Sequence, residues 1–190
     1  MYAALLLEER GIDYLLLEAR SRLGGRVKSM SVETCLAAHD IRFERVHRYN
    51  LGATWYWPAM QPRLAALIER LGLKTFAQHE EGDMLIERSA HRAASRVTGF
   101  QTTPPSMRIS GGTSSLIEAL QARLSGERVR LQSPVRSMTI FGETVTLSAA
   151  SEAGGYESHE AGRVLLAVPP RLAAATIQFQ PSLPSSHQDQ

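Results

Sequence analysis

The sequence predicts an α/β fold in which a parallel sheet carries an antiparallel meander, and three observations lead there. Two uninterrupted apolar runs, Ile12–Leu17 and Val164–Val168, suit strands buried on both faces beneath covering helices. Apolar residues recur at helical intervals in Ala3–Arg10, in Pro62–Leu71 and after Thr113. From Val129 to Ala149 the chain reads as three strands, cut by Pro134 and by a Gly142-Glu143 turn.

The first helix, Ala3–Arg10, is apolar on one face and charged at Glu8, Glu9 and Arg10, and Gly11 supplies a left-handed cap. The run that follows ends on Glu18. In a dinucleotide-binding fold, an acid at the carboxyl end of a buried strand accepts hydrogen bonds from two ribose hydroxyls. Gly24 and Gly25 lack Cβ atoms, so their amides can approach a phosphate, and Arg26 adds a fork of donors. A buried strand followed by a basic surface turn fits the same residues, and the stretch alone leaves both readings open. In such a fold a first strand and a G-x-G-x-x-G loop precede the helix and hold a pyrophosphate. Here Met1 and Tyr2 stand in that place, so the predicted domain is incomplete.

Residues 28–50 form a polar connection made basic by His39, Arg42, Arg45, His47 and Arg48. No cysteine or carboxylate stands at matching ligand spacing to His39 and His47, so solvated loop histidines are expected and no metal site. Gly52, Ala53, Thr54 and Trp55 make a turn of mostly small residues whose backbone can lie flat against a planar ring. Trp55 and Trp57 either wall a cofactor or substrate cavity or fill the core before the next helix. Pro62 opens that helix where a missing N–H costs nothing; Leu64, Leu67, Ile68 and Leu71 give its apolar stripe, and Gly72 ends it. Short strands are expected at Lys74–Ala77 and Met84–Glu87, and an irregular stretch at 88–107 around Pro104-Pro105.

Thr113 or Ser114 is expected to cap a helix that buries Leu116, Ile117, Leu120 and Leu124, with Gly126 near its end. Gly154-Gly155 makes another turn. Val164–Val168 is then a second fully buried strand, stopped by Pro169-Pro170, and Arg163–Val168 is expected to lie parallel to Ile12–Glu18 in one sheet. After Pro184 the tail is polar and aperiodic.

At 190 residues the chain is long enough for one domain or parts of two, and 43% hydrophobic residues suffice for a core. The net charge of +2 comes almost wholly from arginine, since Lys28 and Lys74 are the only lysines. That balance is too slight for a nucleic-acid partner, and no basic run interleaves with aromatics. The single cysteine, Cys35, excludes an internal disulfide and suits a reducing, cytoplasmic setting. No apolar run reaches the ~18 residues of a membrane helix, so no membrane partner is expected.

Several motifs occur in a fixed order. Leu16-Leu17-Glu18-Ala19-Arg20 leads into Arg22-Leu23-Gly24-Gly25-Arg26-Val27, and Leu51-Gly52-Ala53-Thr54-Trp55 follows. Arg108-Ile109-Ser110-Gly111-Gly112-Thr113 precedes a helix and then Ser133-Pro134-Val135. Leu166-Ala167-Val168-Pro169-Pro170 precedes Phe179-Gln180-Pro181-Ser182-Leu183-Pro184. Together these resemble the flavin-containing amine oxidases, the monoamine oxidase-like family, over roughly residues 3 to 184.

The resemblance implies an FAD/NAD(P)-binding Rossmann-like domain and an FAD-dependent oxidoreductase that moves a hydride equivalent from an amine carbon to flavin. Its partners would be a small-molecule amine and oxygen. It implies FAD contacts at Glu18, Ala19, Arg20, Gly24, Gly25, Arg26, Gly52, Ala53, Thr54 and Trp55, and at adenine through the backbone of Val135. Glu18, the glycine pair and the Gly52–Trp55 turn are expected along one continuous groove. Residues 1–87 and 108–184 would be two parts of the FAD-binding domain, joined by 88–107 in place of a helical substrate-binding insert, with 185–190 as a tail.

Two departures stand out. Asn50 replaces the acid that usually precedes the Leu-Gly turn. The family's flavin-proximal lysine and substrate-aligning aromatic pair belong to its second half, so no catalytic residue is assigned in this chain. The expectation is therefore a fragment of an amine oxidase, inactive alone. The alternatives are one half of a split oxidase with a complementing chain, or a non-catalytic module for FAD or another adenine nucleotide.

Overall fold

The computed structural model describes residues 1–31, 48–99, 103–151 and 154–184. The readings placed on Cys35, His39, Arg42, Arg45 and His47 lie outside them. The chain divides into two compact units, one made of residues 24–123 with Met1, the other of 2–23 and 124–190.

In the second unit, helix α1 (Tyr2–Glu8) buries Ala4 and Leu5. It ends as its sequence requires: Gly11 takes φ +62°, and the Ile12 N–H donates to the Leu7 carbonyl. Strand β1 (Leu16–Leu17) follows, far shorter than the apolar run that contains it. It pairs in parallel with β8 (Val129–Arg130), Leu16 opposite Val129, and the Glu18 N–H continues the ladder to the Arg130 carbonyl at 2.8 Å.

Here the sequence expectation fails. Val164–Val168 joins no strand among the described residues, and its side chains are exposed, Leu165 by 74%. A strand is buried on both faces only where neighbours complete its hydrogen bonds and helices cover it. The described partner of β1 is β8 rather than Val164–Val168, and Ile12 and Leu15 are exposed as well. Pro169-Pro170 opens a helix instead of merely stopping a strand. Pro170 takes the first position of α4 (Pro170–Thr176), where its fixed φ and missing N–H suit a helix start.

The meander matches the sequence reading in part. Pro134 and the Gly142-Glu143 turn divide its strands as expected, but the first of the three strands read in Val129–Ala149 pairs with β1 instead, and the third meander strand lies beyond Gly154-Gly155. Strands β9 (Val135–Phe141), β10 (Thr144–Ala150) and β11 (Tyr156–Ala161) pair antiparallel in sequence, and β12 (Gln178–Gln180) adds to β9 in parallel. Met138 stands opposite Leu147 with both side chains buried, which places the inner face.

Among the described residues the first unit holds three two-stranded ladders. They are β2 (Ser29–Ser31) with β3 (Arg48–Asn50), β4 (Thr75–Ala77) with β7 (Met107–Ile109), and β5 (Met84–Ile86) with β6 (Ser95–Val97). The last of these puts a strand inside the stretch read as irregular. Helix α2 (Pro62–Arg70) begins at its proline, and its buried Leu67 and Ile68 fulfil the predicted stripe. Tyr56, Ile68 and Ile109 form the core, with Leu64, Leu73, Met107 and Leu116 packed around them. Burying a side chain such as Ile68 stabilises by about 1.5–3 kcal/mol. Helix α3 (Ser114–Gln121) starts after Thr113 as expected, but the Thr113 side chain does not cap it.

Candidate functional site

Within the first unit, the glycine pair and the Leu51–Trp55 turn interlock. Gly24 and Gly25 both adopt positive φ, +95° and +54°, which an L side chain rarely tolerates, and the Val27 N–H closes the turn onto the Gly24 carbonyl. The Leu51 N–H donates to the Lys28 carbonyl at 2.8 Å, laying the second turn against the first. A Cβ on Gly52 would overlap the Arg26 carbonyl oxygen, so only glycine allows this approach. Arg26 itself is exposed.

A polar node that the sequence reading passed over supports both turns. Asn50 Oδ1 accepts from Ser29 Oγ at 2.8 Å and from the Thr113 N–H at 3.1 Å. The Thr113 hydroxyl donates to the Ala53 carbonyl at 2.8 Å, with Asn50 Oδ1 also within 3.2 Å. This is why Thr113 does not cap α3: its oxygen is turned toward the Gly52–Trp55 turn. The departure from an acid at position 50 was the available signal, since such a position must accept hydrogen bonds and an amide oxygen does so without charge.

Trp55 is half exposed and so is not core filler; Tyr56 and Trp57 turn further inward. Its indole Nε1–H donates to Gln78 Oε1 at 2.8 Å.

Within the second unit, Glu18 is half-buried, with Oε1 accepting from the Arg20 N–H at 2.9 Å. The Glu18 carbonyl accepts from the Ser133 N–H at 2.9 Å, which brings Glu18, Ala19 and Arg20 beside the Ser133-Pro134-Val135 segment that begins β9. Among the described residues no group of His, Cys, Asp and Glu has the arrangement of a metal site.

The same unit contains a cluster with no counterpart in the sequence reading. The Tyr14 hydroxyl donates to Glu8 Oε2, the Ser125 N–H reaches the same oxygen at 3.3 Å, and the Arg128 guanidinium lies 5.3 Å from the Tyr14 ring centre. Partial burial and the adjacent Glu8 carboxylate push the Tyr14 phenol up to about 12. The bonds from Tyr14 and from the Ser125 N–H hold the Glu8 carboxyl below its usual range.

A model of the flavin-containing amine oxidoreductases matches residues 1–99 and 84–190. The chain belongs to that family. It is 31% identical over 108 residues to the flavin-containing amine oxidase B of Sus scrofa, covering 57% of this chain and 18% of that one. Against the Homo sapiens amine oxidase B it is 31% identical over 101 residues, 53% of this chain and 16% of the other. The matched stretch therefore covers less than a fifth of the length of these relatives. Among solved structures it resembles cyclohexylamine oxidase from Brevibacterium oxydans IH-35A, with TM-score 0.79 and 15% identity over 98% of this chain and 59% of that one. A wild-type putrescine oxidase bound to putrescine gives TM-score 0.74 and 20% identity over 97% and 58%. The α/β fold is thus that of the amine oxidases. No helix among the described residues is long and apolar enough to cross a membrane.

FAD is the cofactor that the family implies, and the residues present fit it. The glycine pair offers backbone without Cβ atoms, Arg26 offers exposed donors, and Glu18 Oε2 makes no hydrogen bond among the described residues.

Proposed function

We propose that this chain is the cofactor-binding portion of an FAD-dependent oxidoreductase that oxidises an amine at its carbon–nitrogen bond. The interlock of Gly52 with the Arg26 carbonyl carries the reading, because it joins two family turns through a contact that admits only glycine. When bound, the flavin supplies the hydride-accepting ring. The chain's own residues do the rest of the work by position. Glu18 accepts from ribose hydroxyls, with Ala19 and Arg20 lining that contact. Backbone of Gly24 and Gly25 meets phosphate, and Arg26 adds charge-assisted donors. The backbone from Gly52 to Thr54 lies along the planar ring with Trp55 beside it, and the Val135 backbone meets adenine.

The test is to titrate FAD against the 190-residue chain by flavin fluorescence. Binding is expected to be saturable but weak, because no G-x-G-x-x-G turn is in the sequence to bring the pyrophosphate onto a helix start. Glu18→Ala should raise Kd further by about 5- to 150-fold, the equivalent of about 1–3 kcal/mol for an unpaired polar partner. Absence of saturation, or an unchanged Kd in the variant, would overturn the assignment.

A second reading adds a complementing strand, supplied by another chain, and the exposed apolar side chains of Ile12, Leu15, Leu165 and Val168 favour it. In that case the chain is one part of a split oxidase. Peroxide release that appears only on mixing with the partner would support it, and full turnover by the chain alone would exclude it.

A further inference from the structure

The side chains around Trp55 point to a substrate class, an inference that rests on the amine oxidase reading above. Trp55 follows directly on the Gly52–Thr54 turn assigned to the flavin, and half of its surface is exposed. Its one polar atom is already satisfied by Gln78, so what Trp55 presents outward is apolar ring. Gln78 is itself anchored by its N–H to the Ser106 carbonyl at 2.9 Å. On the other side of the same amide oxygen stands Arg108, whose Nη1 lies 3.5 Å from Gln78 Oε1. Arg108 is opposite Phe76 in the β4–β7 ladder, and its guanidinium carbon lies 5.8 Å from the centre of that half-exposed ring. Stacking on a ring face fixes the guanidinium plane while leaving its edge for other partners. Among the described residues, no carboxylate pairs with Arg108.

The patch therefore offers two aromatic faces and an unneutralised guanidinium, all within the first unit. A guanidinium edge binds a carboxylate through two parallel hydrogen bonds. A second ammonium would meet like charge and gain nothing. We propose that the Trp55–Gln78–Arg108–Phe76 face recognises the carboxylate of an aryl- or alkyl-bearing substrate. The amine oxidised is then of the amino-acid type, not a diamine.

Binding can be measured on the 190-residue chain without flavin, by following the Trp55 indole N–H resonance in a Trp57→Phe background. Phenylalanine and 3-phenylpropionate should shift it saturably, while phenethylamine and putrescine should bind at least about tenfold more weakly, a factor worth 1.4 kcal/mol. Arg108→Gln should remove the preference, and Arg108→Lys, which keeps the charge but loses the fork, should retain part of it. Equal binding of phenylalanine and phenethylamine by the unmodified patch would overturn the proposal whatever the variants do, and so would a preference that survives Arg108→Gln. Because flavin is left out, the two readings fail separately. Carboxylate selectivity without FAD binding sinks the oxidase reading, and FAD binding without selectivity sinks the substrate class alone.

Discussion

Thr113 and Asn50 are locked together across 63 residues of chain, the Thr113 N–H donating to Asn50 Oδ1 at 3.1 Å while its hydroxyl reaches the Ala53 carbonyl at 2.8 Å. One amide oxygen thereby collects donors from the start of α3 and, through Ser29 Oγ, from β2. The buried Thr113 has no other route for its N–H, since the first amides of a helix lack intrahelical partners.

Asn50→Ala should therefore destabilise the chain by about 1–3 kcal/mol, the cost of donors left unpaired. Asn50→Asp keeps the acceptor and should cost less than Ala. Urea unfolding of the three proteins checks this, and equal midpoints for Ala and wild type would remove the node from the account.

Gly52→Ala tests the interlock. Its methyl would collide with the Arg26 carbonyl oxygen, which is backbone and cannot rotate away. A loss of about 1–3 kcal/mol is expected, as for other overpacked sites, with weakened FAD binding. Gly25→Ala is the comparison: nothing lies within 4 Å of its Cβ, so its cost should come from φ +54° alone.

The Tyr14–Glu8 pair makes a prediction for each end of the pH range. Tyr14 ionises near 10.0 when unfolded and near about 12 when folded. Its contribution is thus present in full below pH 10 and is lost as pH rises through 12, because the unfolded state releases its proton first. Glu8 has the opposite sign: with its folded value held below 4.5, its contribution is present above 4.5 and is lost as pH falls through the folded value. Urea midpoints measured against pH should show a smaller alkaline fall in Tyr14→Phe and a smaller acid fall in Glu8→Gln. Parallel curves for wild type and both variants would show that the cluster is not linked to folding.

Leu165→Ser separates the observed chain path from the one its composition suggests. Leu165 is 74% exposed, so the change should stay within about 0.5 kcal/mol. A buried strand residue would instead cost about 2–5 kcal/mol on truncation, as Ile68→Ala should. Thermal or urea unfolding of the two variants decides it.

Local chemistry made much of this molecule legible from its sequence. Gly11 ends a helix, Pro62 begins one, and Gly142-Glu143 turns a hairpin because each acts on its own backbone within a few residues. The same holds for the positive φ of Gly24 and Gly25, and the ordered motifs sufficed for the family. The sequence misled at Val164–Val168 because burial is not a property of a segment. An apolar run becomes a buried strand only where another strand and a helix meet it, and here β1 pairs with β8. Pro170 was read as a stop for the same reason, its helix-starting role depending on where Ala173 could be buried. The sequence by itself determined the turns, the helix ends, the hairpin at Gly142-Glu143 and the glycine motifs, whereas the pairing of Val129–Arg130 with β1 and of Tyr156–Ala161 with β10 did not show in it. Tertiary structure alone decided that Asn50 holds Thr113, that Gly52 must be glycine, and that Arg108 stacks on Phe76 beside Trp55. Those relations join residues 23 to 63 positions apart, and no local preference encodes which distant groups will share a hydrogen bond.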